Sequence, residues 1–191
     1  MKHTRWLILA ASICLLATPR ASHAAWNIGT DFGLSFFSPE EGDGITTVGW
    51  GSGMTTLLPV FQPGLRVGFQ LGGPSHELVT TSSLALLAVE DETLRTFQAM
   101  VGYQHNFSVD QPMRLFVNGG LGLNSLGDDD DNFTALAFGA GFGVRRMLGS
   151  GHGALRFEGR IDHQMEFEED DVTVFPAANV FGVKIGWELW D

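Results

Sequence analysis

The exported part of this 191-residue chain has no cysteine. The single cysteine, Cys14, lies inside the apolar run "LILAASICLLA" near the start. That run follows the basic residues Lys2 and Arg5 and precedes the small-x-small pattern Ser22-His23-Ala24. Together they read as a secretory signal peptide over residues 1–24 with a cut after Ala24. A membrane-spanning helix is excluded, because eleven residues fall well short of the ~20 needed to cross a bilayer. A lipoprotein is excluded too: bulky Ile13 precedes Cys14, and the apolar run continues past it. An exported chain without cysteine has no disulfides to rely on, so residues 25–191 must be held together by the fold alone.

Basic residues are also scarce. Lys2, Arg5 and Arg20 fall before the cut, which leaves eight Lys and Arg against 22 Asp and Glu, a formal charge of −14. This excludes nucleic acid and a bare anionic lipid surface as partners. It permits cations or a basic partner. Catalytic signatures are lacking as well: there is no GxSxG, no HExxH and no exported cysteine. His76, His105 and His152 stand singly near turns, without metal-ligand spacing. No cofactor is expected.

Helical periodicity is nearly absent after residue 25, and strict alternation takes its place. In "LRFEGRID", residues 155–162, Arg156, Glu158, Arg160 and Asp162 alternate with Leu155, Phe157, Gly159 and Ile161. A strand sends these two sets to opposite faces. Seven more segments behave as strands: 26–37, 64–71, 78–89, 94–107, 113–125, 133–146 and 178–190. Of these, 78–89 alternates poorly. Seven connections join the eight strands, alternately short ("GGPSH", "SVDQP", "MLGSGH") and acidic. The acidic ones hold Glu40, Glu41 and Asp43; Glu90, Asp91 and Glu92; Asp128, Asp129, Asp130 and Asp131; and Glu166, Glu168, Glu169, Asp170 and Asp171. Fifteen of the 22 acids thus gather at one end of an up-and-down sheet. Residues 38–62 are read as a long, partly ordered first loop, with 44–60 left open between loop and strand.

Which face is inside decides the class. A soluble lipocalin-like barrel alternates as well, with the polarity reversed. Here the charged face is also the glycine face, carrying Gly120, Gly122, Gly139, Gly141, Gly143, Gly182 and Gly186. Solvent has no need of glycine, but the interior of an eight-stranded barrel is just filled by side chains and needs small neighbours beside large ones. The apolar face is bulky in nearly every strand. Aromatics cluster near strand ends, Trp26, Tyr103, Trp187 and Trp190 towards one and Phe36, Phe97, Phe133 and Phe181 towards the other, as girdles at two membrane interfaces would. The expected fold is therefore all-β, an eight-stranded antiparallel up-and-down transmembrane β-barrel. Its inward charges would be Arg66, Arg114, Arg145, Arg156, Arg160 and Lys184 with Asp31, Glu158, Asp162 and Glu188. Glu158 and Arg160 are expected to pair, in a filled interior and not an open pore.

These features, with the closing strand "FGVKIGWELW", resemble the small outer-membrane β-barrel superfamily of OmpA-type and OmpX/Ail-like proteins. The resemblance spans the exported chain and rests on architecture and the terminal aromatic strand. It implies residence in the outer membrane, insertion from the periplasm by the barrel-insertion machinery, short turns inside and acidic loops outside. It also implies contact with outer-membrane lipid and lipopolysaccharide. A structural or surface-presenting role without catalysis follows. The loop acids Asp128–Asp131 and Glu168–Asp171 are candidate divalent-cation ligands, since carboxylate oxygens suit calcium or magnesium, or a candidate surface for an extracellular partner. Two rivals are a PagL-like lipid A-modifying enzyme, for which His163 is the candidate but lacks a nearby serine, and a soluble periplasmic ligand-binding barrel, which needs the apolar face inside.

Overall fold

The computed structural model describes residues 25–39, 45–50, 64–89, 92–127, 132–149, 151–169 and 172–191. The expected signal peptide, residues 1–24, lies outside them. So do the acidic positions 40, 41, 43, 90, 91, 128–131, 170 and 171.

Eight antiparallel strands close on themselves. They are β1 (Trp26–Pro39), β3 (Gly64–Gln70), β4 (His76–Val89), β5 (Glu92–Asn106), β6 (Met113–Gly127), β7 (Asn132–Leu148), β8 (Gly153–Gln164) and β11 (Ala178–Trp190). Neighbours in sequence pair with one another, and β11 pairs back onto β1 from Asn27↔Trp190 to Pro39↔Ala178. Closure leaves no free edge around most of the wall. Among the described residues no helix is long and apolar enough to cross a membrane, so crossing falls to the strands.

Three short strands remain; one joins the barrel sheet, and two form a separate hairpin. Within the segment expected as a loop, β2 (Ile45–Trp50) folds back on β1 from Phe37↔Ile45 to Phe32↔Trp50. The wall beside β1 is thus shared: β2 covers its outer half, and β3 covers Trp26–Gly29. Residues 51–63 lie outside the described set. A small hairpin, β9 (Phe167–Glu169) with β10 (Val172–Phe175), stands in the last acidic connection. The short turns require left-handed backbone that only glycine adopts freely: Gly149 and Gly151 have φ of 41° and 85° between β7 and β8.

The alternation sorts the side chains as a membrane barrel does. Leu121, Phe142 and Val183 are 68 %, 70 % and 59 % exposed on the outer face. Phe138, Ile161 and Ile185 share that face. Their in-between neighbours Arg145, Arg156, Glu158, Asp162, Lys184 and Glu188 are buried. A soluble barrel would need the opposite arrangement. Two aromatics depart from the expected girdles. Trp190 is buried, because alternation along β11 turns it inward with Glu188 while Trp187 and Leu189 face out. Phe133 shares the inward register of Ala135, and its ring lies 6.4 Å from that of Phe167.

Candidate functional site

The lumen is the candidate site, and its centre is a residue outside the expected set. Glu77, the second residue of β4, is fully buried. Its carboxylate accepts from Asn27 Nδ2 at 2.7 Å, Arg66 Nη2 at 3.1 Å, Arg145 Nη1 at 2.9 Å, Asn106 Nδ2 at 3.3 Å and Gln104 Nε2 at 3.4 Å. One side chain on β4 therefore ties β1, β3, β5 and β7 together across the barrel. The alternation reaches it if the strand is begun at His76: Glu77 then shares its face with Val79, Thr81 and Ser83. A boundary set at residue 78 leaves it out.

Glu188 is the second hub. It meets Arg66 at 2.9 Å, Arg145 at 2.8 Å and Arg156 at 3.2 Å. Arg156 also pairs with Asp31 and with Glu158. Glu158 in turn meets Arg160 at 3.3 Å, while Arg160 grips Asp162 at 2.7 Å and donates to Asn118 Oδ1 at 3.2 Å. The pairing along β8 thus differs in emphasis from the expected Glu158–Arg160 pair: Glu158 leans on Arg156, and Arg160 leans on Asp162. Both are neighbours two apart on one strand face, where side chains stand side by side. Lys184 is buried beside this row and engaged. The acids Asp31, Glu77, Glu158, Asp162 and Glu188 match the bases Arg66, Arg145, Arg156, Arg160 and Lys184 in number. Buried charge is tolerable where each ion faces one of opposite sign, although Asp31 Oδ1 and Arg66 Nε have no hydrogen-bond partner.

Aromatic rings line the network near the short-turn end. The Arg145 guanidinium stands 4.7 Å from the Trp190 ring centroid and 5.9 Å from that of Phe116, distances at which a cation is drawn to the ring face. Trp190 Nε1 donates to Glu188 at 3.3 Å. Towards the acidic end the lumen is neutral. There Asn124 donates to Gln164 at 2.8 Å, and Ser83 to Gln98 at 3.3 Å.

Glycine makes room for the charges. A Cβ on Gly68 would run into the carboxylate of Glu77 and the amide of Asn27, and one on Gly139 would meet Asp162. Gly159 faces outward, where a Cβ would sit 3.5 Å from the Phe142 ring. Gly68→Val is therefore expected to lower stability by about 1–3 kcal/mol through overpacking, and Gly159→Ala to leave it nearly unchanged. Urea unfolding of the two variants in detergent micelles checks this. Equal midpoints would mean that the hub yields without strain.

The remaining expected residues are placed as follows. Arg114 stays at the short-turn rim, where its Nε donates to the Gln111 carbonyl at 3.4 Å. Glu168 is exposed and accepts from Thr173 Oγ1 at 3.4 Å. Glu169 pairs through its backbone with Val172 in the β9–β10 hairpin. The candidate ligands Asp128–Asp131, Asp170 and Asp171 lie outside the described residues. Among the described residues no group of three or more His, Asp or Glu is arranged to hold a metal ion. His163 shares the outward face, with Asn179 and Phe138 across the sheet on either side. Its Nδ1 is 3.1 Å from Asn179 Oδ1.

This closed barrel, apolar outside and ionic within, defines a class: small β-barrels that cross the outer membrane. The family model of the outer membrane protein beta-barrel domain matches residues 7–188. The chain belongs to that family and resides in the outer membrane. No curated protein matches it significantly by sequence. Among solved structures it is similar to Neisserial surface protein A, with 12 % identity and a TM-score of 0.60, over 87 % of this chain and 99 % of that one. It is also similar to Ail, the attachment invasion locus protein of Yersinia pestis, solved with the heparin analogue sucrose octasulfate. There the identity is 9 % and the TM-score 0.50, over 88 % of this chain and 99 % of that one. At these identities the likeness is one of fold.

Proposed function

We propose that this chain is a non-catalytic outer-membrane barrel that holds acidic loops at the cell surface, with its lumen plugged by ion pairs. The observation that carries the plug is the continuous chain of contacts from Glu77 through Arg145, Glu188, Arg156, Glu158 and Arg160 to Asp162. It runs across the barrel, and opening a water-filled path would separate several buried ions from their partners at once.

The loops carry the surface role. By sequence, fifteen acids fall in or beside the four acidic connections. A field of that sign repels a sulfated polyanion of the kind bound to Ail and favours a cationic partner. It also favours divalent cations shared with the anionic lipopolysaccharide around the barrel. Catalysis finds little support. The neighbours of His163 across the sheet are an amide and a phenyl ring, so no hydroxyl stands directly opposite it.

Purified mature protein in a planar lipid bilayer tests the plug. The expected result is a membrane without stable single-channel steps at neutral pH. Long-lived openings of uniform conductance would overturn it. The lipid A of cells producing the protein, compared by mass with that of cells lacking it, is expected to be unchanged. A lost acyl chain that reappears with His163→Ala would replace this function by the enzymatic one.

A further inference from the structure

Two histidines that stand apart in the sequence meet at the short-turn rim of the barrel. His76 opens β4, directly after the turn, and His105 lies one residue before the end of β5. The register sets them opposite one another, and their ring centroids are 5.2 Å apart at an interplanar angle of 56°. Both face outward with Tyr103, which is 46 % exposed on the same surface. His76 Nδ1 bonds the hydroxyl of Tyr103, and the His105 ring packs edge-on against Phe107 at 4.6 Å. Each ring is thus held by a neighbour; His76 is exposed and His105 half-buried.

We propose that His76 and His105 form a two-imidazole site for a divalent transition-metal ion at the periplasmic rim. Imidazole suits copper, zinc and nickel. Metal–imidazole nitrogen bonds run about 2 Å, which sets each ring centroid roughly 3 Å from the ion. Two rings 5.2 Å apart and tilted leave room for one ion between them, whereas stacked parallel rings would not. Tyr103 plays the supporting part that a second group commonly plays at a histidine ligand. With the proton on His76 Nδ1, the ring donates to the Tyr103 oxygen, and Nε2 keeps its lone pair for the metal. Water completes the coordination. The site is separate from the lumen, because the neighbouring inward positions Glu77 and Gln104 point the other way.

Copper(II) is the probe, since it binds most tightly among these ions. Mature protein without a histidine tag is refolded in detergent and titrated with copper(II) at pH 7.5. The expected result is one tightly bound ion per chain, with nitrogen hyperfine structure from two imidazoles in its electron paramagnetic resonance spectrum. His76→Asn and His105→Asn should each abolish that signal, and His152→Asn, at the neighbouring turn, should leave it intact. Binding that survives both substitutions, or the absence of a stoichiometric phase, overturns the site. Should a variant fail to fold, diethyl pyrocarbonate on folded wild type decides. Copper(II) is expected to protect His76 and His105 but not His152; equal modification of all three overturns the site.

Discussion

Replacing Glu77 with alanine is expected to destabilise the barrel by about 3–5 kcal/mol, the scale for removing one partner of a buried ion pair. Arg66 and Arg145 would stay behind in the lumen, both almost fully buried, with Glu188 as their shared acid. That acid already serves Arg156. The loss is also geometric, since Asn27, Gln104 and Asn106 direct amide hydrogens at the missing carboxylate. The double replacement Glu77→Leu with Arg145→Met is expected to cost less than the single one. It removes one charge of each sign and leaves four acids facing four bases in the lumen, and an apolar pair of similar bulk avoids stranding an ion. Urea unfolding in micelles, followed by tryptophan fluorescence, measures both. A double variant less stable than Glu77→Ala would mean that the hub acts through packing and not through charge.

The same residue marks how far the sequence carried. Alternation is local, so it identified the faces of nearly every strand, including the inward row of Arg156, Glu158, Arg160 and Asp162. It gives out at the start of β4. Segment 78–89 alternates weakly because its inward positions are Val79, Thr81 and Ser83, small residues without charge, and Glu77 fell one position outside it. Trp190 and Phe133 show the converse: both lie close to a strand end, as girdle aromatics do, but register decides and turns both inward. Residues 45–50 became a strand because β1 is longer than β3 and its outer half needs a partner. Partners across the lumen were beyond reach of the sequence. Glu77 meets Arg145, and Asp31 meets Arg156, only because closure and strand tilt bring distant turns of the wall face to face. The His76–His105 pair has the same origin: each looks solitary until the β4–β5 register sets them opposite.

The largest effect on assembly is expected from Ile185→Arg. Ile185 lies near the middle of β11, 52 % exposed, between Phe32 on β1 and Phe157 on β8. All three point into the lipid, so an arginine there has hydrocarbon on every side. At the bilayer midplane that costs about 2–4 kcal/mol, falling to about 0–1 kcal/mol near the interfaces. Leu189→Arg, at the rim end of the same strand face, should therefore assemble far better. The contrast with the adjacent position is sharper. Lys184 is buried among Glu158, Asp31 and Arg160, so Lys184→Arg keeps a cation where one is already matched and should assemble normally. One residue along a strand separates the two outcomes, because successive side chains face opposite sides of the wall. Folding into lipid vesicles, scored as the fraction with heat-modifiable gel mobility, ranks the three variants. An Ile185→Arg protein that inserts as well as Leu189→Arg would mean that the apolar face of β11 meets something other than lipid.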